Sequence, residues 1–237
     1  LHGPGWEDHP LQAGRALNVV PDKATYKGER LEELLPVIEQ SGVKYTEEAG
    51  AVTILGLSKH SKDAAEGVNA IVGLAESLSL IQPHPALLFI ADAVGEDATG
   101  AALFGEIKDE PSGALSFNIA TLSIDEERSE IGIDIRIPVL ADKDALVERL
   151  TEVAASYQLQ YEEFDYVAPL YVPLDSPLVS TLMEVYQEET GDQTPAMSSG
   201  GATFARTMEN CVAYGALFPY ALQTEHQANE RAKLDDL

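Results

Sequence analysis

The chain carries a single cysteine, Cys211, so no disulfide can close within it and a zinc site built on cysteines is implausible. No stretch approaches the roughly eighteen consecutive apolar residues that a transmembrane helix needs, which predicts no membrane partner. Basic residues are few: 15 Lys and Arg stand against 40 Asp and Glu, for a formal charge of −25 over 237 residues. A polyanion repels phosphate backbones, so nucleic acid is excluded as an expected partner. Leu1 to Pro10 lacks the basic start and apolar core of a signal peptide. These absences together predict a cytoplasmic protein.

What is present is ordinary for a globular chain: 45% hydrophobic and 23% charged residues, enough for one large domain or two small ones with a sizeable core. The acidic excess reads as a solvated surface or as carboxylates that attract cations, and composition alone does not separate the two.

Residues 1–11, with Gly3-Pro4-Gly5 and His9-Pro10, read as irregular. Residues 18–27 look extended. Leu31, Leu34, Leu35 and Ile38 have helical spacing over 29–40 despite Pro36. Short strands are predicted at 43–47 and 51–58, then a helix over 64–81 with a capping-box-like start at Asp63 and Glu66. Residues 82–113 are broken by proline and glycine. A strand covers 115–124. In 131–137, Ile131, Ile133, Ile135 and Ile137 share one face and Gly132, Asp134 and Arg136 the other, the alternation of a half-buried strand. A helix at 142–155 and a strand near 158–164 follow. The pattern predicts an α+β sandwich, helices packed on a mainly antiparallel sheet. Past residue 167 prolines punctuate a linker, and Ser176-Pro177 starts a helix that stops near Gly191.

Five histidines can be weighed one by one. His9 and His84 stand beside prolines and read as loop residues. His60 follows a strand. His226 lies beyond the apolar run 211–219. Ser199-Gly200-Gly201, before a short helix, is either an ordinary glycine turn or a place where backbone amides receive an anion.

Several segments then carry a resemblance, in order from residue 18 to the C-terminus. They are Asn18-Val19-Val20-Pro21-Asp22-Lys23-Ala24; Leu57-Ser58-Lys59-His60-Ser61 with Glu66-Gly67-Val68-Asn69-Ala70; and Ile133-Asp134-Ile135-Arg136-Ile137-Pro138. The last are Gly200 to Arg206 with Val212 to Pro219, and His226-Gln227-Ala228-Asn229-Glu230. Jointly they resemble dinuclear zinc metallopeptidases of the aminoacylase and carnosinase type. The subgroup most resembled is the bacterial dipeptidase V type, which is Xaa-His dipeptidase-like.

The resemblance implies a ferredoxin-like α+β lid domain over 12–167 and the C-terminal part of an α/β zinc-peptidase catalytic domain over 168–237. Residues 1–11, containing Leu1-His2 and a Gly-Trp segment, would be a remnant of the catalytic N-terminal half. It implies two zinc ions per complete site, replaceable by cobalt or manganese, with His226 a terminal ligand. His60 would polarise the scissile carbonyl with help from Asn18. Arg136 and the backbone of Ser199, Gly200 and Gly201 would hold the substrate's free carboxylate. A monomer or homodimer acting on small peptides is implied.

The sequence departs from the family where a His-x-Asp motif, a bridging aspartate and a Glu-Glu pair would stand, and the tail stops before the family's last helix. These residues alone are therefore expected to be inactive. The competing expectations are an N-acyl amino acid deacylase or desuccinylase of the same architecture, and a non-catalytic module for dimerisation or small-molecule binding.

Overall fold

The structure is a computed structural model that describes residues 1–198, 203–215, 218, 221, 229 and 231–234. The chain divides into two compact units, Leu1–Val167 and Ala168–Leu237.

The first unit opens with two short strands, β1 (His2–Pro4) and β2 (Leu11–Ala13), then β3 (Lys23–Tyr26) and helix α1 (Leu31–Ser41). Strands β4 (Tyr45–Glu48) and β5 (Ala51–Leu55), a 3₁₀ turn (Ser61–Glu66) and α2 (Ala70–Ser79) follow. Next come α3 (Pro85–Leu88), a π-helical turn (Phe89–Val94), α4 (Ala101–Phe104), and the two-residue strands β6 (Lys108–Asp109) and β7 (Gly113–Ala114). A long hairpin, β8 (Ser116–Ile124) and β9 (Arg128–Arg136), leads to α5 (Lys143–Ser156).

The strands are all antiparallel. One sheet has the order β1-β9-β8-β2 and a second the order β3-β5-β4, while β6 and β7 form a small ribbon. Residues 5–10 are irregular as expected, but the ends of the 1–11 segment are not: His2 pairs with Glu130 and Leu11 with Ile124, so both ends edge the larger sheet. The β8–β9 turn closes because the Asp125 carboxylate accepts the amides of Glu127 and Arg128, each at 2.9 Å. The strand expected near 158–164 reduces to one bridge, His2 with Gln160.

The core is one apolar cluster. Leu34 and Ile38 of α1 and Ile71, Leu74 and Leu78 of α2 are fully buried with Val52 and Ile54 of β5 and Phe117 and Ile119 of β8. Burying each such side chain stabilises the fold by about 1.5–3 kcal/mol. Pro36 is tolerated inside α1 because it is exposed, where water can satisfy the carbonyl it cannot serve.

Helix α2 begins at Ala70, six residues later than its apolar spacing suggests. Gly67 is extended and Val68 bridges Leu57, so the expected cap at Asp63 and Glu66 belongs to the 3₁₀ turn. The cap of α2 is Asn69, whose side-chain oxygen accepts the amides of Ile71 at 3.0 Å and Val72 at 3.3 Å.

His84 corrects its reading as a loop residue. It is 5% exposed and caps α3, accepting the Ala86 amide on Nδ1 at 3.2 Å. Nε2 then carries the proton and faces the carbonyls of Pro4 at 3.2 Å and Gly5 at 3.3 Å, with the Trp6 ring packed edge-on. Burial pushes the imidazole pKa below its ordinary range, outweighing the two carbonyl contacts that raise it. A histidine held neutral by the fold contributes stability that is full above its unfolded pKa of about 6.5 and declines as pH falls below it. Urea midpoints measured from pH 7.5 to 5 are therefore expected to fall, and to fall less in His84→Gln than in the wild type.

The second unit contains α6 (Pro177–Thr190), capped by the Ser176 hydroxyl on the Val179 amide at 3.3 Å and ended by Gly191 in the left-handed region, φ 69°. Proline at the first helical position and glycine after the last match the sequence reading. A 3₁₀ turn at Phe204–Thr207 follows. Among the described residues no helix is long and apolar enough to cross a membrane.

Candidate functional site

Three of the residues singled out by sequence, Asn18, His60 and Arg136, are drawn together by one polar network on the first unit. Its floor is the end of the β8–β9 hairpin. Ser116 pairs with Arg136 and Asn118 with Asp134, and the period-two alternation puts all four side chains on one face.

Over that face run two irregular segments. The stretch after β2 reaches it through Gly14, at φ 79°, which lies so close to β8 that a Cβ there would collide with the Ala120 carbonyl. Asn118, 1% exposed, donates from Nδ2 to the carbonyls of Leu17 at 3.3 Å and Val19 at 3.0 Å, which fastens the backbone on both sides of Asn18. Its side-chain oxygen accepts from Asn69 Nδ2 at 3.2 Å, and Asn69 also donates to the Ile119 carbonyl at 2.7 Å. Asn69 and Asn118 therefore join the start of α2, β8 and the Asn18 segment.

The second segment is the 3₁₀ turn headed by His60. Val19 and His60 form an antiparallel bridge: the Val20 amide donates to the Lys59 carbonyl at 2.8 Å and the Ser61 amide to the Asn18 carbonyl at 2.9 Å. His60 itself caps the turn, accepting the Lys62 amide on Nδ1 at 3.2 Å. That bond assigns the neutral tautomer, leaving the proton on Nε2 as a donor. Burial, and then the positive charges of Arg136 and Lys62, push the His60 pKa down, against the smaller opposing pull of Asp134 and Asp63. At neutral pH the ring is an uncharged hydrogen-bond donor.

Arg136 stands at the end of β9. Its Nη2 donates to Asp134 Oδ2 at 2.8 Å and to Ser61 Oγ at 3.3 Å. The Asp134 side chain is 13% exposed and that of Arg136 35%, so the carboxylate is largely withdrawn from water while the guanidinium can still be reached by a ligand. Arg136 Nε is buried without a hydrogen-bond partner among the described residues. A partly exposed, forked cation of this kind suits a carboxylate.

Ser199, Gly200, Gly201 and His226 lie outside the described residues. His2 is in β1, with Nε2 3.7 Å from a Glu162 carboxylate oxygen. Among the described residues no group of three or more His, Cys, Asp or Glu side chains could hold a metal ion. The described residues do not by themselves fit a zinc centre. Sequence reasoning gave no role to Ser61, Asn69, Ser116 and Asn118. Ser116 and Asn118 sit in a segment read correctly as strand, Ser61 begins the turn before α2 and Asn69 caps α2, and nothing in a polar residue's type says which distant partner it meets.

No family model matches the chain. Relatives do. The chain is 34% identical, over 96% of its length, to a protein of Bacillus subtilis named "Putative dipeptidase YtjP", covering 52% of that protein. It is 25% identical to "Putative dipeptidase SH1171" of Staphylococcus haemolyticus and 27% identical to a "Putative dipeptidase" of Staphylococcus epidermidis, with the same coverage of each. The chain spans about half the length of the curated relatives it matches.

Proposed function

We propose that this chain is the lid and the C-terminal catalytic segment of a zinc-dependent dipeptidase that hydrolyses short peptides bearing a free C-terminal carboxylate. The observation that carries the reading is the junction of Asn18, His60 and Arg136 through one buried polar network, in a chain similar along 96% of its length to proteins named as dipeptidases.

Each residue's chemistry fits a part of peptide hydrolysis. His60, neutral and protonated on Nε2, is a donor suited to the carbonyl oxygen that gains negative charge as the peptide bond is attacked. Asn18 is exposed and its backbone carbonyl accepts the Ser61 amide beside His60, so its side-chain amide is a candidate second donor. Arg136 offers a partly exposed cation for the carboxylate, held in place by its ion pair with Asp134. The bond-breaking chemistry of such an enzyme, zinc activation of a water, would come from ligands outside the described residues, His226 being this chain's own candidate.

The reading is tested on a full-length protein carrying this chain. Hydrolysis of unmodified dipeptides is expected, abolished by a chelator and restored by zinc, cobalt or manganese. Turnover of N-acylated amino acids with no action on dipeptides would assign the deacylase reading instead. Full dipeptide turnover after complete metal removal would overturn the metal-dependent one.

A further inference from the structure

Ser61 is assigned no role by resemblance, yet the network closes on it. It is 0% exposed, and each of its polar groups is engaged. The amide donates to the Asn18 carbonyl at 2.9 Å, and the carbonyl accepts the Ser116 hydroxyl. The hydroxyl donates to Asp134 Oδ2 at 2.7 Å and accepts from Arg136 Nη2 at 3.3 Å. Asp134 in turn accepts from both Ser61 and Arg136 through the same oxygen. One small residue thus touches the Asn18 segment, the turn that carries His60, and the guanidinium.

We propose that Ser61 and Asp134 are positioning residues that lock the His60 turn to the Arg136 guanidinium, so that the carbonyl-polarising and carboxylate-binding groups keep one fixed separation. This rests on the dipeptidase reading for its catalytic consequence, though the lock itself stands on the geometry. The physical argument is economy of motion. A turn held only by backbone bonds to Asn18 could shift relative to β9, and an arginine side chain has four rotatable bonds of its own. The shared carboxylate oxygen removes both freedoms at once, and a displacement of about 1 Å in such a pair can cost about a hundredfold in rate. Burial matters too: in a low-dielectric setting, hydrogen bonds to charged groups hold more firmly than exposed ones.

The test is a double-mutant cycle in a full-length protein carrying this chain, read as the ratio of kcat/KM for a dipeptide to that for its C-terminal amide. Ser61→Ala is expected to lower this ratio by about tenfold, the lower end of what losing a hydrogen bond to a charged group costs. In an Arg136→Ala background the same change is expected to lower it no further. Asp134→Asn, which keeps an acceptor for the Ser61 hydroxyl, is expected to retain more of the ratio than Asp134→Leu. Equal losses for peptide and amide, or losses that add in the double variant, would overturn the proposal. A second measurement does not depend on activity: the His60 imidazole, titrated by NMR in this chain. Arg136, Lys62, Asp134 and Asp63 are the charges that act on it. Asp134→Asn is expected to lower its pKa and Arg136→Ala to raise it. In a Ser61→Ala background, where the turn is no longer tied to β9, both shifts are expected to shrink, and shifts as large without the Ser61 hydroxyl as with it would overturn the lock. If the wild type cleaves no peptide, the dipeptidase reading fails while the NMR arm still decides the proposal.

Discussion

Replacing Arg136 with Ala is expected to raise KM for dipeptides about a hundredfold while changing the kinetics of the corresponding amides little. The figure follows from losing a charge-assisted hydrogen bond to a carboxylate, about 3 kcal/mol, which is roughly two decades of affinity. The comparison with amides matters because Arg136 has a second task. Its Nη2 neutralises Asp134, whose side chain is 13% exposed, so Ala leaves a mostly buried carboxylate without its cation. A loss shared by peptides and amides would report that structural damage instead. Arg136→Lys separates the two effects further: it keeps a positive charge near Asp134 but gives up the planar fork, so it should recover stability more fully than carboxylate affinity. Steady-state kinetics on the substrate pair, with urea midpoints for each variant, checks all three statements.

The second large effect is expected at His60. His60→Ala should lower kcat by about a hundredfold to a thousandfold with KM nearly unchanged, the pattern of a donor that acts on charge developed during reaction. The structural cost should be small. The ring accepts the Lys62 amide at the start of a 3₁₀ turn, a cap worth about 1 kcal/mol, while the turn's hold on β8 and β9 runs through Ser61. His60→Gln keeps an N–H donor and should recover part of the lost turnover. A rise in KM matching the fall in kcat would instead make His60 a binding group.

How much of this was legible in the sequence depended on whether a residue's job is set locally. The alternation over 131–137 placed Asp134 and Arg136 together on the polar face, and the structure puts them within one ion pair. Helices α1, α5 and α6 were read to within two residues, since their apolar spacing and caps are local signals. The errors came where tertiary pairing overrode local pattern. Strands β1 and β2 are three residues each and exist only because β9 and β8 offer them edges. The apolar spacing of 64–81 continued through residues that the Leu57–Val68 bridge holds extended. His84 beside prolines reads as loop, although proline at the next position is equally the mark of a helix start. For the site, residue types located His60, Asn18 and Arg136 through resemblance. The serines and asparagines that join them could not be paired from sequence, because the partners that tie the site together lie 49 to 101 positions away.

That separation has a consequence for how the molecule comes into being. The Asn118 side chain reaches a carbonyl 101 positions earlier, and Ser61 reaches Asp134 across 73. Closing such loops costs chain entropy before any bond forms, so these contacts belong late on the folding route. A nascent chain interrupted before the β8–β9 hairpin would carry its imidazole with no relation to its future guanidinium. Competence for ligand should then follow the pairing of the β8–β9 hairpin during refolding and never run ahead of it.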